Sequence, residues 1–281
     1  MNMWLRRCLK LGLFLRPWGR RSGQTSPSAD QVTFLIYHSV GGNLPVELDL
    51  PLPLFRRQLA YLARTRRVIA YDQALAGLTG NAPLPEGACV LTFDDGYRNF
   101  YTHVFPLLEE FQVPAMLFVS TGFVENGGPS PLRSLPSARV QPVTWEMLGV
   151  MADSGLVTLG AHTHTHPVLT GLAQDRVEEE LTKPLALFQR RLGLQPEHFA
   201  YPGAIWSPAV EARVAAYYRS AVIGEGRPAT RPGFHPYRIP RLPIRRSDGW
   251  AFFVAKMAGR LQGEEAVYAR LRGLWLELFS G

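Results

Sequence analysis

The sequence predicts an α/β fold, a mostly parallel sheet with helices between its strands. Three observations carry that reading. From Val32 onward, short β-branched and aromatic runs alternate with longer segments of helical periodicity, the pattern of repeated βα units. With 281 residues, 46% of them hydrophobic, the chain can bury one full core, and a single α/β barrel of about 250 residues would use nearly all of it. The unusual polar motifs fall just after apolar runs, where the C-terminal ends of parallel strands form the rim that carries a barrel's site.

In chain order, residues 1–21 come first, with Arg6, Arg7, Lys10, Arg16, Arg20 and Arg21 and no acid. They hold all but +1 of the formal net charge of +7, so the body offers no basic groove and no nucleic-acid partner is expected. Trp4, Leu5, Leu9, Leu11, Leu13, Phe14 and Leu15 interleave with these cations. The longest uncharged run, Leu11 to Leu15, is too short for a membrane span or for the apolar part of a cleavable signal peptide. A basic amphipathic helix lying on an anionic membrane fits this composition, and so does a leader loosely docked on the body. The expected location is cytoplasmic, or peripheral at the membrane or cell envelope. Ser22 to Asp30 reads as a flexible linker, which divides the chain into a leader (1–30), a main domain (31–247) and a C-terminal helical segment (248–281). Cys8 and Cys89 provide no disulfide framework and are expected to pack.

Within the main domain the expected strands are Val32 to Tyr37, Arg67 to Ala70, Ala88 to Phe93, Ala115 to Ser120, Val157 to Ala161, His198 to Tyr201 and Ser220 to Ile223. Helical stripes lie between them: Phe55, Leu59 and Leu62; Phe105, Leu108 and Phe111; then Val177, Leu181, Leu185, Phe188 and Leu192. Each reads as core. Glu125 to Pro142 is rich in Gly, Pro and Ser and is expected to be a rim or lid. Trp250, Phe253, Val254, Met257 and Leu261 form a last stripe, expected to pack on the barrel or a partner.

Leu91-Thr92-Phe93-Asp94-Asp95-Gly96-Tyr97 ends a strand with two adjacent carboxylates. A solvated turn is one explanation. The other is a cation, because confined like charges shift a pKa or recruit a counterion. Three of the seven histidines cluster in His162, His164 and His166, directly after another expected strand. An extended chain would put all three on one face, and a helical turn would align His162 with His166 alone. Two imidazoles with a carboxylate suit Zn²⁺ or another divalent first-row ion. Asp95 would supply the carboxylate, leaving Asp94 to take a proton from an attacking water.

Thr92-Phe93-Asp94-Asp95-Gly96, then His162-Thr163-x-x-His166-Pro167, then Phe199-Ala200-Tyr201-Pro202 resembles the polysaccharide deacetylases, the NodB homology domain of carbohydrate esterase family 4. The likeness runs from Val32 to Ile244. It implies a distorted (β/α) barrel of about seven parallel strands and removal of acetyl groups from N-acetylglucosamine residues of a polysaccharide. It also implies Asp94 as base and Asp95, His162 and His166 as ligands of a divalent metal, Zn, Co, Ni or Fe, with His164 a neighbour. The opening Leu35-Ile36-Tyr37-His38-Ser39-Val40 is similar to the branch acting on poly-N-acetylglucosamine exopolysaccharides. His38 ends a strand and could reach the site, but is expected to be structural.

Two departures from the family pattern stand out. Ala200 occupies the place of the third motif's Arg, which pairs with the base, and Gly203 that of its Tyr. Arg241 is expected to supply the pairing from another strand end, which would lower the pKa of Asp94 and fix its orientation. The late Leu-x-His motif is missing, since no histidine follows Ile244, so His235, or Asp94 returning its proton, is left as general acid. Tyr97, Tyr201 and Trp206 are expected as rim aromatics beside Pro202, with the Gly203 N–H facing the oxyanion. Two rival functions are a different C–N hydrolase on the same scaffold and a catalytically silent glycan-binding protein.

Overall fold

The computed structural model describes residues 6–8, 10–12, 29–127, 130–131, 140–261, 264 and 267. Seven parallel strands close into a barrel: β1 (Gln31–Tyr37), β2 (Ala88–Phe93), β3 (Ala115–Val119), β4 (Val157–Ala161), β5 (His198–Ala200), β6 (Ser220–Gly224) and β7 (Ile239–Pro243). Each pairs with the next in sequence. The ring closes where β1 meets both β2, with Thr33 opposite Cys89, and β7, with Phe34 opposite Arg241. Among the described residues, the helices that clothe it include α1 (Leu52–Thr65), α2 (Tyr71–Leu78), α3 (Phe105–Phe111), α4 (Thr121–Asn126), α5 (Trp145–Asp153), α6 (Gln174–Leu192), α7 (Pro208–Tyr217) and α8 (Gly249–Met257).

Strand alternation sorts the core into layers. Val32, Phe34, Ala88, Val90, Met116, Phe118, Ala200, Val222 and Ile239 fill the barrel interior, whose lower end is closed by Tyr71, Ala74, Leu75 and Leu78 of α2. The intervening residues face outward. Leu35, Cys89, Leu91, Leu117, Leu159 and Leu242 pack under α1, α3, α5 and α8, whereas Phe199, Tyr201, Ala221 and Ile223 pack under α6 and α7. The helical stripes expected to be core lie in these outer layers: Phe55, Leu59, Leu62, Leu108, Leu181 and Phe188 are buried, and Leu185 and Leu192 are partly covered.

Six of the seven expected strands are barrel staves; the other is not. Arg67–Val68 is only a short pairing beside the start of β2, with Arg67 opposite Ala88. The seventh stave is β7, unread in the sequence because Pro240 and Pro243 offer no donor to a ladder. Most of the expected lid, residues 128–129 and 132–139, lies outside the described residues. Its end returns against the segment after the aspartates, where Tyr97 bridges Pro142 and the Val143 N–H bonds the Gly96 carbonyl.

Most of the leader and most of the chain beyond Leu261 also lie outside the described residues. Lys10 is fully buried, and its Nζ meets Asp248 at 2.5 Å and Glu264 at 3.4 Å. That cation is therefore closed to lipid headgroups. Phe253, Met257 and Leu261 are buried, with Trp250 and Val254 packed on the outer core. No helix among the described residues is long and apolar enough to cross a membrane.

Candidate active site

Alternation along β2 brings the first aspartate to the mouth. Ala88 and Val90 face the interior, so Thr92 and then Asp94 follow on that face. Asp95 would point away, but its φ of +81° swings it back beside its neighbour. Such backbone is uncommon outside glycine and costs about 1–3 kcal/mol. Here a local distortion places two carboxylates in one mouth, both nearly buried.

Arg241 faces the interior two staves away, on the far side of β1, in register with Phe34. Its guanidinium forks onto Asp94, Nη1 to Oδ1 at 2.6 Å and Nη2 to Oδ2 at 2.8 Å, and Nη1 also donates to Thr92 Oγ1 at 3.1 Å. Burial works to raise the Asp94 carboxyl, but Arg241 and the neighbouring imidazoles outweigh it and hold the group below its ordinary range.

β4 supplies the histidines. Gly160 faces inward, where a Cβ would meet Met116 Cε at 2.4 Å, and His162 follows on the same face. The next residues form neither extended strand nor helix, because Thr163 (φ +63°) and His166 (φ +60°) both adopt left-handed backbone. This turn brings His166 back over His162 and sends His164 to Thr121 Oγ1, 3.0 Å from its Nδ1. The choice of imidazoles that the sequence left open therefore falls on His162 and His166.

His162 Nδ1 lies 2.7 Å from the Ala200 carbonyl, which can only accept, so the ring proton sits there and Nε2 presents a lone pair. That Nε2 is 3.1 Å from His166 Nε2, and each is 3.4 Å from Asp95 Oδ1. Asp95 Oδ1 is buried, and no hydrogen-bond donor reaches it among the described residues. Two imidazole nitrogens and a carboxylate oxygen facing one another call for a positive charge between them, and this donor set fits a divalent ion. Burial works to lower His162, but Asp94 and Asp95 raise it above its ordinary value, and burial together with His162 pushes His166 down to about 4. Burial likewise opposes ionisation of Asp95, yet the two histidines hold its carboxyl far below the usual range.

The expected sugar platforms need correction. Tyr97 is 2% and Tyr201 1% exposed, so neither offers a ring face to a glycan. Tyr97 packs on Phe123 in a cluster with Leu44 and Val140, and Tyr201 is the residue after inward-facing Ala200, which sends it outward beneath α6 and α7. Trp206 is partly exposed, with Arg238 over one ring face at 4.5 Å. Pro202 is buried and Gly203, at φ +64°, is exposed at the rim. His235 meets Arg238 and Glu211 and bonds no mouth residue. His38 also lies at the mouth. It continues the inward series Val32, Phe34 and Ile36, interacts electrostatically with Asp94, Asp95, Arg241 and His162, and has a buried Nδ1 without a hydrogen-bond partner among the described residues. Strand parity is the signal that places it there.

Fold and mouth define a class: α/β barrels with an Asp-His-His cluster that could hold a metal ion at the C-terminal ends of the strands. The polysaccharide deacetylase family model matches residues 81–220, and the chain carries a polysaccharide deacetylase domain. The poly-beta-1,6-N-acetyl-D-glucosamine N-deacetylase of Escherichia coli (strain K12) is 37% identical over 111 residues, which is 38% of this chain but 16% of that longer protein. IcaB from Ammonifex degensii is 26% identical, with a TM-score of 0.69 over 82% of this chain and 97% of that one. The Streptococcus pyogenes deacetylase PplD, solved with acetate, shares the fold at 19% identity, with a TM-score of 0.69 over 82% of this chain and 99% of its own.

Proposed function

We propose that this protein is a metal-dependent polysaccharide N-deacetylase that hydrolyses acetyl groups from N-acetylglucosamine residues and releases acetate. The observation that carries the reading is the convergence of His162, His166 and Asp95 beside an aspartate held by Arg241. The similarity to the E. coli enzyme favours a β-1,6-linked glucosamine polymer of the cell envelope as substrate.

His162, His166 and Asp95 would hold the ion, with Zn²⁺ the first choice for two imidazoles and a carboxylate and Co, Ni or Fe also compatible. When bound, it supplies Lewis-acid polarisation of the acetamide carbonyl and a more acidic water. Asp94 takes the proton of the attacking water, its oxygens aimed by the Arg241 fork. The Gly203 N–H, at the exposed rim, donates to the developing oxyanion. His38 then protonates the departing amine. It is the mouth histidine left over from the ligand set, it lies within electrostatic reach of Asp94, and it passes on the proton that Asp94 took from the water.

The organisation into leader (1–30), deacetylase domain (31–247) and C-terminal helical segment (248–281) belongs to this proposal. So does a peripheral membrane contact through the leader's other cations, tested by vesicle cosedimentation with and without residues 1–21. Acetate release from acetylated glucosamine oligomers of β-1,6 and β-1,4 linkage, with added Zn²⁺ or Co²⁺, tests the activity. Release from the β-1,6 series that disappears in Asp94→Asn is the expected result. Release only from small N-acetyl amides would assign another C–N hydrolase, and sugar binding without release would assign a silent glycan binder.

A further inference from the structure

The turn that carries the two histidines is strained. Thr163 is β-branched and His166 bulky, yet both sit at positive φ, which such residues rarely adopt. Such backbone persists only where its surroundings over-determine it. On one side the β3–α4 junction grips the turn: Ser120 Oγ donates to the His162 carbonyl at 3.0 Å and the Gly122 N–H to the His164 carbonyl at 2.7 Å. A Cβ on Gly122 would lie 2.7 Å from that same carbonyl, so the residue must be glycine for the grip to close. Inside the turn, the His166 N–H bonds Thr163 Oγ1 at 3.0 Å.

The other side depends on a single side chain. Glu180 stands on α6, 1% exposed, where an uncompensated carboxylate would be costly. One of its oxygens accepts the backbone N–H groups of His164 at 2.8 Å and Thr165 at 2.7 Å, and the other accepts the Thr165 hydroxyl at 2.5 Å. It touches neither His162 nor His166. Its three bonds fix the two residues immediately before His166, and so decide where that imidazole points.

We propose that Glu180 is the positioning residue of the metal-binding turn: an outer carboxylate that acts through the backbone and tunes metal affinity without meeting the metal. The inference rests on the metal reading above. Co²⁺ titration of the metal-free full chain, followed by its d–d absorption, tests it. Glu180→Ala should weaken Co²⁺ binding about 10- to 100-fold and alter the bands, as loss of an outer-shell partner does. Glu180→Gln should stay near wild type, since its carbonyl can take both N–H groups while its NH₂ meets the Thr165 hydroxyl as acceptor. Thr165→Val, losing one bond of the three, should weaken binding by about fivefold, which keeps a result in hand if Glu180→Ala does not fold. Leu181→Ala, one residue along α6 and buried in the outer core, should lower the thermal midpoint and leave affinity intact.

Wild-type affinity and bands in Glu180→Ala, or in Thr165→Val where Glu180→Ala does not fold, overturn the proposal, as does equal weakening in Leu181→Ala. A wild-type chain that takes up no Co²⁺ removes the metal reading and this inference with it, a failure distinct from either.

Discussion

Two of the buried charge clusters among the described residues are built on opposite accounts. At the joined termini, Lys10 and Lys256 face Asp248 and Glu264, with Lys256 Nζ 3.0 Å from each acid and also bonded to the Pro243 carbonyl at 2.8 Å. Two cations meet two anions, and the group is closed. At the barrel mouth, Arg241 offsets Asp94, while Asp95 faces the imidazoles of His162, His166 and His38, and its Oδ1 takes no hydrogen bond among the described residues. A buried cluster that balances holds chain segments together; one left a charge short is prepared for something that arrives from outside.

Substitutions should separate the two. The largest effect is expected from Asp95→Ala, which should abolish Zn²⁺ uptake in a metal titration and cut acetate release about a thousandfold, the loss of about 4 kcal/mol of transition-state stabilisation. The thermal midpoint of the metal-free protein should fall only slightly, because the carboxylate is offset there by imidazoles alone. A drop of several degrees would break the contrast. Arg241→Met should come next. It strands Asp94 as a buried, unpaired anion, at a cost of about 3–5 kcal/mol in urea unfolding. Because the guanidinium holds that carboxyl low, its loss should move the acid limb of the pH–rate profile to higher pH.

At the termini the signs reverse. Lys256→Met should destabilise by about 3–5 kcal/mol while kcat stays at the wild-type value, and a matching fall in kcat would show that the clusters are coupled. Burial works to raise Asp248, but Lys256 and Lys10 hold it below its ordinary value of 3.8. Its contribution to stability is therefore complete above pH 3.8 and lost as pH falls through the folded value. Asp248→Asn should erase that part of the acid-unfolding curve. The smallest effect is expected for Trp206→Ala. Arg238 already covers one ring face, so KM for an oligosaccharide should rise about two- to tenfold, the value of a single aromatic contact.

The fold was legible wherever burial imposed a period. Six staves and the helical stripes follow from apolar spacing alone, because each stave is buried on both faces and each helix on one. β7 was illegible since its two prolines argue against a ladder, although Ile239 and Leu242 alternate between interior and exterior as a stave requires. The ligand types were readable from Asp95, His162 and His166, but their convergence was not, because it depends on positive φ at Asp95, Thr163 and His166. No propensity announces those angles. Tyr201 marks a different loss: parity along its strand held the answer, and the chemical appeal of a tyrosine beside Pro202 obscured it.

The prolines of β7 have one more effect. This stave both closes the ring and carries Arg241, yet two of its five residues donate nothing to either neighbour. Warming should open the cylinder along that line first, carrying the guanidinium away from its aspartate while the other six staves stay zipped. Turnover would then fade, and return on cooling, at temperatures where circular dichroism still reports an intact fold.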